Sequence, residues 1–226
     1  MANGDGVSAI VLAGGRSSRF GGDKLAEPID GRPLLLHAIE AVRSVANEVL
    51  VVAAPQAVLE VPPDVIVVHD QTPFEGPLAG LAAGLGRARE PVCLVVGGDS
   101  PSLVAGVLEL LVAAVDDAGV DAAALEDEGR VRPLPAAMRR DAALVAADRL
   151  LEDGERRLRL VFDTVRTLVI PEATWRRSDP ERATLRDIDT REDLADWRGG
   201  SAQEHEDPRW RKRGPSRIGG GGGGLS

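Results

Sequence analysis

The residues from Leu12 to Lys24, LAGGRSSRFGGDK, combine two glycine pairs with two arginines and one lysine. Glycine lacks a Cβ and adopts positive φ readily, so such a segment can bring backbone N–H groups close to phosphate oxygens. Arg16, Arg19 and Lys24 add positive charge, arginine as a fork and lysine as a compact ammonium. The pattern favours binding of a nucleoside triphosphate. A simple reversing turn with solvated cations is the alternative.

Two widespread phosphate-binding patterns do not fit this segment. G-x-x-x-x-G-K-[ST] fails because Asp23 precedes Lys24 and Leu25 follows it. G-x-G-x-x-G cannot be placed after the apolar run Ser8 to Leu12. The segment therefore indicates another class of nucleotide-using protein.

Asp99 is a candidate metal ligand, because it follows the apolar run Val92 to Val96 within VVGGDSP. Mg²⁺ prefers oxygen ligands and usually binds through one or two carboxylates plus substrate phosphates. Asp99 could instead cap the following helix, although Ser102 is equally placed to do so. With a phosphate-binding segment in the same chain, we favour the metal role.

Alternating strands and helices would position these side chains. Apolar runs predict strands at Ser8–Leu12, Glu48–Ala54, Val65–Val68 and Val92–Val96, and helical spacing predicts helices over 33–46, 77–89 and 103–115. This alternation implies a parallel sheet, in which ligands bind beyond the carboxyl ends of the strands. Asp70 follows Val65–Val68, so we expect it to face that crevice.

The second half is less regular. We predict strands at Asp121–Leu125, Val131–Met138 and Val165–Ile170, a helix at Asp141–Leu151, and a short helix ending at Trp197 and capped by Asp189 or Thr190. After Arg198, glycine, proline and alternating charges dominate the sequence. We expect one domain over residues 1–198 and a disordered tail over 199–226.

Composition restricts the function classes. The net charge of −9 argues against binding to nucleic acid backbones or an anionic membrane surface. No apolar run approaches the roughly 18 to 20 residues of a membrane span, and the N-terminus lacks a secretory pattern, so we expect a cytoplasmic protein. Cys93, the single cysteine, lies in an apolar run and is predicted to be a buried, inert thiol. His37, His69 and His205 lack zinc-ligand spacing.

Four segments in order resemble the molybdenum cofactor guanylyltransferases, which belong to the nucleotidyltransferases. They are LAGGRSSRFGGDK, DQTPFEGPLAG, VVGGDSP and DIDTREDL, and they span nearly the whole chain up to Arg198. The resemblance implies an α/β, Rossmann-like nucleotidyltransferase fold: a mostly parallel sheet flanked by helices in a single domain.

The resemblance also implies roles for individual residues. Arg19, Lys24 and Asp99 would be catalytic, with Arg19 and Lys24 holding the phosphates. Asp99 would hold Mg²⁺, and Asp187 is a candidate second ligand. The nucleotide-binding and metal-binding set would be Leu12, Ala13, Gly14, Gly15, Lys24, Asp70 and Asp99, the first three acting through main-chain groups.

The segment DIDTREDL departs from the family pattern. Asp187 and Asp189 stand where guanylyltransferases commonly have amides, and acidic versions occur in related cytidylyltransferases. Either aspartate could complete the metal site or contact the pterin substrate. Alternatively, Asp189 and Glu192 could form a helix-capping pair.

Arginines follow in RPLPAAMRR and GERRL, where the family resemblance places the phosphate of the pterin. Arginines in these stretches, which include Arg132, Arg139, Arg140, Arg156 and Arg157, could receive that dianion or be merely solvated, and the sequence assigns the contact to no single one of them.

The reaction implied by the resemblance is transfer of GMP from GTP to the terminal phosphate of molybdenum-molybdopterin, with Mg²⁺ and release of pyrophosphate. LAGG and GPLAG favour guanine, since the cytidylyltransferases tend to have LAAG and GMAAS. A cytidylyltransferase for the same cofactor, a sugar-phosphate nucleotidyltransferase and a noncatalytic nucleotide- or cofactor-binding protein are the alternatives. Partners would be these small molecules, with molybdoenzymes or cofactor-delivery proteins as candidates.

Overall fold

The computed structural model describes residues 6–14, 24–69 and 76–197. Outside these ranges lie four residues for which the sequence predicts phosphate or nucleotide contacts: Gly15, Arg16, Arg19 and Asp70. The tail over 199–226 and the domain boundary at 198 also lie outside them. The roles assigned to these residues stay predictions.

Within the described ranges the strands are β1 (Val7–Leu12), β2 (Pro28–Ile29), β3 (Arg32–Pro33), β4 (Glu48–Ala53), β5 (Ile66–His69), β6 (Val92–Gly97), β7 (Ala122–Asp127), β8 (Arg130–Arg139) and β9 (Thr167–Ile170). Seven of them form one sheet in the order β5-β4-β1-β6-β8-β7-β9, and β2 pairs with β3. Only β8 runs antiparallel to its neighbours in this sheet. The predicted mostly parallel sheet is confirmed.

Helices cover both faces of the sheet. They are α1 (Leu34–Arg43), α2 (Pro77–Arg87), α3 (Ala105–Ala118), α4 (Arg140–Glu152), α5 (Val161–Thr164), α6 (Glu172–Trp175) and α7 over 191–197. Side chains alternate along the central strand, so Ala9 and Val11 pack toward α1 and α3, while Ile10 packs toward α2 and α4. No helix in the described ranges is long and apolar enough to cross a membrane.

The order of the strands fixes where a ligand can bind. The chain passes from β1 outward to β4 and β5, and then returns to β6 on the other side of β1. Such a reversal opens a crevice at the carboxyl ends of the strands that flank it. The Gly98 N–H donates to the Leu12 carbonyl at 3.0 Å, and the Ala13 N–H donates to the Val52 carbonyl at 2.8 Å. These bonds join the main chain at the ends of β1, β4 and β6, which form the base of the crevice.

Helix starts differ from the sequence predictions in two places. Ser102 does not cap α3, because that helix begins at Ala105 with Val104 as its N-terminal flanking residue and no side-chain cap bond. The Val104 N–H donates instead to Thr184 Oγ1 at 3.1 Å. Pro33 belongs to β3, and α1 begins one residue later, at Leu34.

The capping pair of α7 also differs from the predicted pair. The Asp193 N–H donates to Thr190 Oγ1 at 3.1 Å, and Asp193 Oδ2 accepts from the Thr190 N–H at 2.7 Å. The prediction that Asp189 or Thr190 caps this helix is confirmed for Thr190, whereas the alternative pairing of Asp189 with Glu192 is wrong. Because the helix begins at 191, Thr190 is the capping residue and its reciprocal partner lies three positions later.

Candidate active site

A small apolar cluster joins the C-terminal segment to the start of the chain. It contains buried Ile29, Leu34, Ile188 and Leu194, with Leu25 and Trp197 packed against them. Leu25 is adjacent to Lys24, and Ile188 separates Asp187 from Asp189. Burial of this cluster therefore brings Asp189 beside the lysine.

Lys24 lies between two carboxylates. Its Nζ donates to Asp99 Oδ2 at 2.7 Å and to Asp189 Oδ1 at 3.2 Å. The Lys24 side chain is 12% exposed, against 29% for Asp99. Burial acts to lower the pKa of Lys24, but the hydrogen bonds and charges of Asp99 and Asp189 outweigh it, so the pKa is raised. The ammonium is thus a fixed positive charge at neutral pH.

Asp99 follows β6 at the edge of the sheet that carries the crevice. A Cβ added to Gly97 would come within 2.5 Å of Asp99 Oδ1 and 3.1 Å of Ser100 Oγ. The absence of a side chain at Gly97 therefore leaves the space that the Asp99 carboxylate occupies. Asp99 does not cap α3, because that helix begins at Ala105. The alternative structural role proposed for Asp99 is therefore wrong.

Asp187 is held against the same loop. Its Oδ1 accepts from Ser100 Oγ at 2.7 Å, and its Oδ2 accepts from Arg132 Nη2 at 3.4 Å. The next residue, Ile188, donates its N–H to the Asp99 carbonyl at 3.0 Å. Burial raises the pKa of Asp187, and the charge of Asp99 adds to this, while the Ser100 hydrogen bond and the Arg132 charge act in the opposite direction.

The main chain after β1 lies at the crevice, but part of it is already engaged. The Leu12 carbonyl and the Ala13 N–H are used within the protein, as described above. Among the described residues, a Cβ added to Gly14 would meet only the Val52 carbonyl, at 4.0 Å. Nucleotide binding through this main chain stays a prediction.

The predicted arginines are separated by the fold. Arg132 contacts Asp187, but Arg139 donates to the Val120 and Val115 carbonyls at the other end of the sheet. Arg140 lies at that end too, donating to the Ala88 carbonyl. The extended strand β8 separates the two ends of RPLPAAMRR, and its antiparallel direction places Arg139 at the start of β6 and Arg132 toward the end of β6 that carries the site.

Arg156 lies beside the N-terminus of α2. Its carbonyl accepts from the Leu78 N–H at 3.4 Å, and a Cβ added to Gly76 would come within 3.0 Å of the same oxygen. Gly76 has φ +92°, a conformation that glycine adopts without strain, and Pro77 occupies the first helical turn. The GPLAG segment thus starts a helix, as predicted, and packs against the GERRL turn.

Sequence reasoning missed Ser100. It lies directly after Asp99 within VVGGDSP and is 4% exposed. Its hydroxyl joins the loop that carries Asp99 to the carboxylate of Asp187. A serine next to a candidate metal ligand was the available signal, but its partner lies 87 positions away.

The donor set fits a hard cation that shares its coordination with a substrate. The described residues contain no group of three or more His, Cys, Asp or Glu side chains that could hold a metal. Asp99 and Asp187, which the Ile188 N–H bond to the Asp99 carbonyl brings to the same loop, could supply the one or two carboxylates through which Mg²⁺ usually binds, with phosphates and water completing the shell.

A family model, the MobA-like NTP transferase domain, matches residues 9–167 of the chain. The molybdenum cofactor guanylyltransferase of Desulfosudis oleivorans is 30% identical over 192 residues, which are 84% of this chain and 93% of that protein. That of Burkholderia lata is 35% identical over 175 residues, 73% of this chain and 85% of that protein.

Solved structures show the fold. Molybdopterin-guanine dinucleotide biosynthesis protein A from Archaeoglobus fulgidus superposes with a TM-score of 0.73 at 21% identity, over 87% of this chain and 99% of that one. The 2-C-methyl-D-erythritol 4-phosphate cytidylyltransferase of Thermus thermophilus superposes with a TM-score of 0.65 at 17% identity, over 85% of this chain and 98% of that one. The architecture is the Rossmann-like nucleotidyltransferase fold in one domain. The matched family model and the relatives show that the chain belongs to the MobA-like NTP transferase family.

Proposed function

We propose that this nucleotidyltransferase moves GMP from GTP to the terminal phosphate of molybdenum-molybdopterin and releases pyrophosphate. The observation that carries the proposal is the Lys24–Asp99 pair, a cation and a carboxylate 2.7 Å apart at the ligand-binding edge of the sheet. The names of the relatives, molybdenum cofactor guanylyltransferase, support the choice of nucleotide and acceptor.

The reaction needs positioning and neutralisation of charge more than it needs covalent chemistry from the protein. An oxygen of the pterin phosphate attacks the α-phosphorus of GTP and forms a phosphoanhydride. The bond from the α-phosphorus to the bridging oxygen breaks, and pyrophosphate takes that electron pair. A phosphate dianion has no proton to lose, so no general base is required.

Lys24 supplies the positive charge that this step requires. An ammonium has three donors, and two of them are directed to Asp99 and Asp189. The two carboxylates hold Nζ in place before substrate arrives, so little reorganisation accompanies the reaction. In the proposed reaction the third donor, together with Arg19, stabilises the charge that develops on the phosphates.

Mg²⁺ would be held by Asp99, with Asp187 as the second carboxylate. When bound there, it would neutralise the phosphates of the nucleotide and orient them toward the acceptor. Ser100 and Arg132 fix the Asp187 carboxylate, and the main chain at Ile188 fixes the loop that carries Asp99.

Transfer from CTP is the second candidate, and a specific observation favours it. Asp187 and Asp189 both lie at the site, and acidic residues in this segment resemble the cytidylyltransferases. The LAGG and GPLAG segments resemble the corresponding segments of the guanylyltransferases, and for this reason we propose GTP as the substrate.

A triphosphate panel tests the proposal. The purified protein is incubated with Mg²⁺, molybdenum-molybdopterin and GTP, CTP, ATP or UTP in turn, and pyrophosphate release is measured. We expect release with GTP that depends on the pterin and is lost in Asp99→Asn. The Arg166→Gln variant is the matched control, because Arg166 pairs with Asp121 at the opposite end of the sheet. Release with CTP alone, or without the pterin, would refute the assignment. A cytoplasmic location and protein partners stay predictions from the sequence.

A further inference from the structure

Arg132 lies beyond the end of β6, above the loop that carries Asp99. β8 pairs with β6 only through its residues 136–139, the last of these pairs being Val95 with Ala136. Its pairing with β7 shifts register between Ala124 and Leu125, and Leu125 pairs with Arg132. The bulge contains Pro133 and Pro135, which have no N–H to donate to a ladder. This irregularity carries Arg132 to the edge of the sheet where the site lies.

The contacts of Arg132 are with acidic groups. Its Nη2 lies 3.4 Å from Asp187 Oδ2, and its Nε lies 3.9 Å from Asp127 Oδ2. Asp127 also pairs with Arg182. Asp127 therefore shares its charge between two arginines, while Arg132 is the cation that contacts Asp187 among the residues the structure describes.

The charges around the site explain why Asp187 needs such a partner. Asp99, Asp187 and Asp189 contribute three carboxylates, and Lys24 contacts Asp99 and Asp189. The Ile188 N–H bonds to the Asp99 carbonyl at 3.0 Å, which places Asp187 next to the loop that carries Asp99. In the guanylyltransferase pattern this position is commonly an amide, which carries no charge. Asp187 thus adds a negative charge beside Asp99, and Arg132 offsets it.

We propose that Arg132 is a positioning residue that acts through Asp187. It holds the Asp187 carboxylate against Ser100 and offsets its charge, so that Lys24 stays on Asp99 and remains directed at the phosphates. This role rests on the proposed nucleotidyl transfer, and it differs from direct binding of the pterin phosphate by Arg132. The two roles respond differently when Asp187 loses its charge.

A double-mutant cycle separates them. The full chain is prepared as wild type, Arg132→Gln, Asp187→Asn and the double variant, and kcat and KM are measured for GTP and for the pterin, with the thermal midpoint Tm. We expect Arg132→Gln to lower kcat/KM for GTP about tenfold, a coupling typical of charged neighbours. In the Asp187→Asn background the same change should cost less than about twofold, because no charge remains to be offset. Arg132→Lys should recover most of the loss.

An equal loss of kcat/KM in both backgrounds, or a loss confined to KM for the pterin, would overturn the proposal, since Arg132 would then contact substrate itself. Arg166→Gln with Asp121→Asn is the matched control: it removes a similar ion pair, with N and O 3.0 Å apart, far from the site. It should change Tm but not kcat/KM. If wild type shows no turnover with any triphosphate, the proposed function fails, whereas the Tm cycle still decides the Arg132–Asp187 pairing: additive Tm changes would refute it.

Discussion

Lys24 Nζ lies 2.7 Å from Asp99 Oδ2, although 75 positions separate the two residues. The contact links the segment after β1 to the loop after β6, across the crevice that the strand order creates. The sequence holds 25 arginines but only two lysines, Lys24 and Lys212. A compact ammonium fits between two carboxylates in a way that a planar guanidinium does not. The residue type at position 24 thus matches the geometry in which it is found.

Replacement of Lys24 tests the charge at the site. We expect Lys24→Ala to lower kcat about 100-fold or more, because the positive charge aimed at the developing phosphate charge is lost. Lys24→Arg keeps the charge but not the point geometry and should recover only part of the rate. Circular dichroism and Tm check that the fold persists. Near-normal turnover of Lys24→Ala would rule out the role.

Two glycine substitutions should separate activity from stability. Alanine at Gly97 places a Cβ 2.5 Å from Asp99 Oδ1, the free end of a side chain that can move. Gly97→Ala should therefore lower activity and weaken the response to Mg²⁺, with a small change in Tm.

Alanine at Gly84 provides the contrast, since its Cβ would meet Ile10 Cγ2 at 2.6 Å within the core. Gly84→Ala should cost about 1 to 3 kcal/mol of unfolding free energy through overpacking. For both variants, denaturant titration measures the unfolding free energy, and turnover is measured at a temperature at which the variants are folded. Loss of activity in Gly84→Ala with full stability, or the reverse in Gly97→Ala, would contradict this division.

Thr190 should stabilise the last helix as its cap. Removing the hydroxyl in Thr190→Ala should cost about 1 kcal/mol, because the Asp193 N–H loses its acceptor. Glu192→Ala is the control and should leave the unfolding free energy nearly unchanged. A larger loss in Glu192→Ala would favour the alternative capping pair of Asp189 with Glu192.

Asp187 should make stability depend on pH. Its pKa is raised in the folded state above the ordinary value of 3.8, mainly by burial, so ionisation of Asp187 destabilises the fold as pH rises through that raised value. Asp187→Asn should therefore have a higher Tm than wild type at pH 7, and the difference should vanish below about pH 3.8.

Asp193 has the opposite shift and serves as the control. Hydrogen bonds from Thr190 lower its pKa, so its contribution to stability is present above pH 3.8 and is lost as pH falls through the lowered value. Asp193→Asn should lower Tm at pH 7. Thermal melts between pH 3 and 8 measure both effects, and a Tm for Asp187→Asn below that of wild type at pH 7 would contradict the sign assigned to Asp187.

The sheet could be predicted from the sequence because its strands are continuous apolar runs. Val92 to Val96 is one of these, and the observed strand Val92–Gly97 ends one residue later. The contact of Lys24 with Asp189 could not be predicted, because it depends on the packing of Ile29 and Leu34 against Ile188. Arg132 and Arg139 lie seven positions apart in one strand, and the antiparallel direction of β8 decides that Arg132, not Arg139, lies at the end of the sheet that carries the site.

Transfer of label from [α-³²P]GTP to molybdenum-molybdopterin tests the central claim most directly. Wild-type protein with Mg²⁺ should move the α-label into the cofactor in amounts equal to the pyrophosphate released, while Lys24→Ala and Asp99→Asn should transfer almost none. Recovery of the α-label as free GMP, or transfer of label only from [α-³²P]CTP, would contradict the proposed guanylyl transfer.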